Sequence, residues 1–242
     1  MNSKSRHLNG MADSEGLGPC PINGLTFAPE WAGTNIYLKS QPVADRVSEL
    51  FDEELPAISS AAPIRRNTFS SGRSCARAVM VEAGLPACAL PRCDDGSVQW
   101  PQGLLGSLSH TNDWAVAAIA VSDMCEAKSI GIDLERIKPL DQGLINLIAT
   151  STECEELAVT SSPEWHAMAL FSIKESLYKC LARDFGQFID FQDVEITNLA
   201  AGRPMLHLRR AELARRYPAE QLELRLAVTP WHVFSLAWLR AS

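Results

Sequence analysis

The chain has 242 residues, 46% of them hydrophobic and 21% charged, with a formal net charge of −7, enough to bury a core as one large domain or two small ones. The acidic balance argues against a general nucleic-acid binder. No run of roughly 18–20 apolar residues offers a membrane span, and the first eight residues lack the apolar segment of a signal peptide, so the cytoplasm is the expected address.

Residues 1–20 are rich in Ser, Gly, Asn and charge, and read as a loose leader. An N-terminal lobe is expected over 21–122 and a C-terminal lobe over 123–242. The spacing of Ala76, Val79, Met80 and Ala83 predicts a helix over 70–82, with Arg73 and Arg77 together on its other side and an end near Gly84. A loop punctuated by Pro and Gly follows to Gly106. Residues 114–121, Trp-Ala-Val-Ala-Ala-Ile-Ala-Val, read as a buried strand. Ile130-Gly-Ile-Asp-Leu-Glu135 is a short strand whose alternation puts Ile132 and Leu134 on one side, Asp133 and Glu135 on the other. Thr152 to Glu155 has capping-box spacing and opens a short helix. Ser162-Pro-Glu164 opens a longer one, reaching about Arg183. Residues 222–239 predict two strands around a turn at Pro230. The seven cysteines are scattered and form no C-x-x-C pair, which suggests idle thiols.

Two carboxylates at i and i+2 on one strand face repel unless a positive charge sits between them. Asp133 and Glu135 are therefore candidate ligands of Mg²⁺, which takes one or two carboxylates and completes its shell with water and phosphate oxygens. Alone, a D-x-E triplet reads as a solvated strand edge paired with Arg136 or Lys138. In the following helix Leu170, Ile173, Leu177 and Leu181 make the apolar stripe, while Glu175 and Lys179 share a polar face. These two are either a surface ion pair, or Glu175 is a third metal ligand or a general base and Lys179 a charge that stabilises a phosphate leaving group. Ser109 and His110 lie before the buried strand, where loops commonly build sites. His7, His166, His207 and His232 have no comparable setting. Between residues 61 and 92 stand Arg65, Arg66, Arg73, Arg77 and Arg92 against the single acid Glu82. Such a basic region in an acidic chain suits a small anionic ligand or an acidic partner surface.

Three elements in order, G-S-L-S-H at 106–110, G-I-D-L-E at 131–135 and F-S-I-K-E-S-L-Y-K at 171–179, resemble those of the 4′-phosphopantetheinyl transferases of the surfactin and enterobactin type. Phe171 stands where that family often has Trp, and Ser176 where Ala is common. Arg65-Arg66 with Gly72-Arg73, and Trp100-Pro-Gln-Gly103, match upstream segments of the enterobactin branch.

The resemblance implies an α+β fold of two pseudo-symmetric lobes, each a small antiparallel sheet with packed helices, and coenzyme A in the cleft between them. It implies a holo-[acyl-carrier-protein] synthase reaction, transfer of 4′-phosphopantetheine to a serine of apo acyl or peptidyl carrier proteins with release of adenosine 3′,5′-bisphosphate. Asp133, Glu135 and Glu175 would hold Mg²⁺, or Mn²⁺ in its place, with Glu175 also the candidate base. Lys179 would neutralise the departing phosphate, and His110 would contact the phosphates. Arg65, Arg73, Ser109 and Lys174 complete the expected coenzyme A contacts, with Arg77 and Arg92 as weaker candidates. A monomer without nucleic-acid or membrane partners is expected. A metal-dependent phosphohydrolase and a non-enzymatic coenzyme A or carrier-binding module are the alternatives.

Overall fold

A computed structural model describes residues 35–202 and 204–241. The expected leader, the first part of the N-terminal lobe, Cys20 and His7 lie outside the described residues. Strands β1 (Ile36–Pro42), β2 (Leu104–His110) and β3 (Trp114–Val121) form an antiparallel sheet in the order β1-β3-β2, and helix α1 (Pro63–Glu82) enters between β1 and β2. The second half repeats this plan. Strand β4 (Ala127–Arg136) is followed, after α2 (Gln142–Ile148) and α3 (Ser151–Val159), by the long helix α4 (Pro163–Phe185). Then come β5 (Val194–Thr197), β6 (Met205–Leu208), α5 (Ala211–Arg216), β7 (Leu222–Val228) and β8 (His232–Arg240). The sheet order β4-β8-β7 matches β1-β3-β2 strand for strand, with α4 in the place of α1.

The alternation of β3 and β4 stacks these parts in layers. Val116 and Ala118 of β3 meet Ile130, Ile132 and Leu134 of β4 in a core between the two sheets, joined by Phe234, Leu236 and Trp238 of β8. The other face of β3, Ala115, Ala117 and Ile119, packs against Cys75, Ala76, Val79 and Met80 of α1. On the far side, the stripe Leu170, Ile173, Leu177 and Leu181 of α4 is buried against Val233, Ala237 and Leu239 of β8. The period-2 and period-3.6 patterns thus meet as helix, sheet, sheet, helix.

Some boundaries differ from expectation. Helix α1 starts at Pro63, seven residues before the expected start at residue 70, because Pro at the first position supplies helical φ without wasting a donor. Residues 104–110, expected as loop leading into a short G-S-L-S-H segment, form a full strand. The capping box opening α3 runs from Thr150 to Glu153 rather than from Thr152 to Glu155, since Thr150 accepts from the Glu153 N–H and the Glu153 carboxylate accepts from Thr150 N.

Candidate active-site cleft

The residues of the G-x-D-x-E strand divide by face. Ile132 and Leu134 enter the core between the sheets, which leaves Gly131, Asp133 and Glu135 on the face under α4. A Cβ on Gly131 would stand 2.1 Å from Ser176 O and 2.5 Å from Cys180 N, so only glycine lets the helix lie this close. That close approach brings Lys179 Nζ to 2.7 Å from Asp133 Oδ1.

The G-S-L-S-H strand joins the two halves. Both β2 and β4 are edges of their sheets, and hydroxyls bridge them. Ser107 Oγ accepts from Ile132 N at 3.0 Å, and Ser109 Oγ accepts from Leu134 N at 3.1 Å. Ser109 Oγ donates in turn to Asp133 Oδ1 at 3.0 Å and accepts from Lys179 Nζ at 3.4 Å. Serines at i and i+2 thus cap two outward N–H groups of an edge strand. Gly106 supports the same wall, because a Cβ there would meet the Trp100 ring at 2.3 Å.

Asp133 is 3% exposed, and its Oδ2 has no hydrogen-bond partner. Burial, then the Asp133 charge, pushes the Glu135 carboxyl up to about 7, with Glu175 adding to the rise and Lys179 opposing it. Burial also raises Glu175, against the pull of Lys179 and with that of Asp133. Lys179 and, on the Glu135 side, Lys138 thus oppose three acids whose burial and mutual repulsion hold two of them above the ordinary carboxylate range. Among the described residues no three His, Cys, Asp or Glu side chains stand close enough to form a ready metal cage. The donor chemistry nevertheless fits a hard divalent cation that draws much of its shell from water and substrate phosphate: one buried, orphaned carboxylate oxygen with two acids nearby.

Beside Ser109 and Lys179 opens a cleft of about 690 Å³, lined further by Arg65, Arg73 and Arg92 from the first half and by Tyr178 and Arg183 from the second. Arg65 Nη1 donates to His110 Nε2 at 3.2 Å. Desolvation, then the charges of Arg65 and Lys179, holds the His110 imidazole below its usual pKa. Arg73 lies with its guanidinium 4.3 Å from the Phe69 ring centre, and its Nε donates to Leu90 O at 2.6 Å. Burial lowers it to about 10, so it stays cationic at neutral pH.

Two residues expected at the site are engaged elsewhere. Lys174, 3% exposed, spends its three donors on Ile148 O at 2.7 Å, Glu153 Oε2 at 2.7 Å and Phe191 O at 2.9 Å. It therefore ties α4 to α3 rather than contacting a ligand in the cleft, which corrects its expected role. Arg77 points to the buried Glu54, with Nη1 2.8 and 3.0 Å from its two oxygens, and so serves the packing of α1. Conversely, the sequence alone did not mark Arg183, Tyr178 or Phe188, which all line the cleft. Arg183 carried a readable signal, being four residues beyond Lys179 on the same helix. Phe188 carried none, since it follows the helix in an irregular segment.

Comparison with known proteins agrees in both halves. The family profile for the 4′-phosphopantetheinyl transferase N-terminal domain matches residues 52–120, and that of the 4′-phosphopantetheinyl transferase superfamily matches 129–233. A 4′-phosphopantetheinyl transferase of Streptomyces mobaraensis is 36% identical over 171 residues, covering 69% of this chain and 68% of that one. One of Mycobacterium tuberculosis is 32% identical, covering 60% and 63%. Enterobactin synthase component D of Salmonella typhi is 33% identical, covering 62% of each. The chain thus spans somewhat under two thirds of the length of the last two.

Proposed function

Since the chain belongs to the 4′-phosphopantetheinyl transferase superfamily, whose reaction carries the phosphopantetheine arm of coenzyme A to a carrier protein, we propose that it loads apo acyl or peptidyl carrier proteins in this way. The serine hydroxyl of the carrier attacks the β-phosphate of coenzyme A. A new P–O bond forms to the serine, the bond to the departing adenosine 3′,5′-bisphosphate breaks, and the serine proton leaves to a base. The observation that carries this assignment is that Asp133, bonded to Ser109 and Lys179 in the wall of an arginine-lined cleft, has the charges of Glu135 and Glu175 beside it.

Each side chain then has a role. Lys179, anchored on Asp133, offers its remaining donors to the departing phosphate. Glu175, whose carboxyl burial raises above its usual pKa, takes the serine proton. His110, accepting from Arg65, orients that guanidinium toward the nucleotide end, where the imidazole also stands to contact the phosphates. Arg73 adds a cation that its stacking on Phe69 holds in place. Asp133, Glu135 and Glu175 would hold Mg²⁺ or Mn²⁺, and that ion would neutralise the pyrophosphate. Ser109 acts through Asp133, as its hydroxyl fixes the carboxylate. Both walls of the cleft come from one chain, which supports a monomer with lobes at 21–122 and 123–242. The six described cysteines are free, the state a reducing compartment keeps, and no helix among the described residues is long and apolar enough to cross a membrane. Both facts support the cytoplasm as its place.

Intact-mass analysis of a panel of apo carriers incubated with coenzyme A and Mg²⁺ tests the assignment. A carrier gaining the mass of phosphopantetheine is expected, and Asp133→Ala or Glu175→Ala should abolish the gain with the fold retained. Near-normal loading by either variant would overturn the metal assignment. Release of adenosine 3′,5′-bisphosphate without any carrier would point to a hydrolase instead.

A further inference from the structure

Arg183 stands in the last turn of α4, four residues beyond Lys179 and eight beyond Glu175, on the face of the helix that lines the cleft. At 1.5 Å per residue it lies about 6 Å past Lys179 along the helix axis. It is thus set away from the carboxylates, toward the end of the cleft lined by Arg92 and the turn 95–98. Like charges at i and i+4 destabilise a helix unless each is met by a partner. The Lys179 charge is met by Asp133 at 2.7 Å. Arg183 has no ion pair or hydrogen bond within contact distance among the described residues, and its charge reaches Asp95 across the cleft. The cations opposite are already held in position, Arg73 by Leu90 O and the Phe69 ring, and Arg92 packed beneath Gly96, whose Cβ would meet its Nη2 at 3.0 Å.

We propose that Arg183 is a further substrate-binding residue, which closes the arginine cluster of the first half from the opposite wall and grips the 3′-phosphate of the coenzyme A adenosine. A ligand with two anionic groups, a pyrophosphate at the carboxylates and a monophosphate further along, matches two cations one helical turn apart. A planar guanidinium suits a terminal phosphate, which presents two oxygens to its fork. This assignment rests on coenzyme A being the donor.

Direct binding measured without carrier, by calorimetry with coenzyme A and with 3′-dephospho-coenzyme A, tests it independently of transfer. The wild-type chain should bind coenzyme A more tightly than the dephospho form. Arg183→Ala should weaken coenzyme A about tenfold, the weight of one charge-assisted contact, while leaving dephospho-coenzyme A nearly unchanged, and Arg183→Lys should fall between. In carrier loading the loss should appear in KM and not in kcat. Equal weakening of both ligands would overturn the assignment, as would unchanged binding with only a lower Tm, which would leave Arg183 as a helix-terminal charge. Binding of neither ligand by the wild-type chain would overturn the coenzyme A reading itself, and this inference with it.

Discussion

Gly131 decides how near α4 comes to β4, and so whether Lys179 reaches Asp133. Gly131→Ala places a methyl against Ser176 O and Cys180 N, both backbone atoms that cannot rotate aside. The expected loss is about 3 kcal/mol of stability, the upper end for overpacking, with carrier loading falling too. Urea denaturation checks the first, and a change under roughly 0.5 kcal/mol would show that the helix yields freely. Glu153 governs a second buried point, since its carboxylate accepts from Lys174 Nζ at 2.7 Å, Thr150 N at 2.6 Å and Ile196 N at 2.6 Å. Glu153→Gln keeps the shape but leaves a buried ammonium without its counter-charge, a change that costs about 3–5 kcal/mol in comparable pairs. Thermal melts should register it, and Lys174→Met in the same chain should restore part of the loss. At this scale the sequence showed which residues share a helix face but not where each side chain ends. Lys174 and Glu175 are neighbours in the chain, yet one points into the packing and the other stands within reach of the Lys179 and Asp133 charges.

At the scale of elements, the seam between β2 and β4 carries the site. Each half has its own sheet, and the two edge strands are linked here through Ser107 and Ser109 rather than through a backbone ladder. Ser107→Ala removes the acceptor of a buried N–H on β4 and should cost about 1–3 kcal/mol, leaving ligand affinity largely intact. Ser109→Ala should cost a similar amount and in addition lower loading, because the same hydroxyl positions Asp133. Chemical denaturation and steady-state kinetics on the pair separate support from function. Strands β3, β4, β7 and β8 and the stripe of α4 were legible from their periods. Strand β2 was not, because its alternating residues are serines and a glycine, whose place in a strand depends on a partner edge that the local pattern does not display.

For the whole molecule, one ligand contacting both halves should stabilise them together. At a hundredfold excess over its Kd, coenzyme A with Mg²⁺ is expected to add about 2.7 kcal/mol, a rise in Tm of about 5–10 °C for a chain of this size, and a chelator should reduce it. Stability should also depend on pH through His232, which is buried with both ring nitrogens unpartnered and Nε2 3.7 Å from Asp113. Burial lowers its pKa, against the pull of Asp113. The unfolded chain takes up this proton near pH 6.5, the folded chain only at lower pH. The contribution is therefore complete above about 6.5 and is lost as pH falls through the folded value. Glu135, raised to about 7, and the raised Glu175 contribute in the opposite sense over this range. The His232 contribution is therefore read as a difference, and from pH 8 to 5 the urea midpoint of His232→Leu should fall relatively less than that of the wild-type chain.

The sequence by itself determined the order of the motifs, the faces of the strand and helix that bear the acids and Lys179, and the basic segment in an acidic chain, because these follow from short-range periodicity and charge. Only the tertiary structure decided which cations face the cleft. Arg73 and Arg183 line it while Arg77 and Lys174 turn to Glu54 and Glu153, since a long flexible side chain goes to whichever buried partner the packing of distant segments puts within its reach.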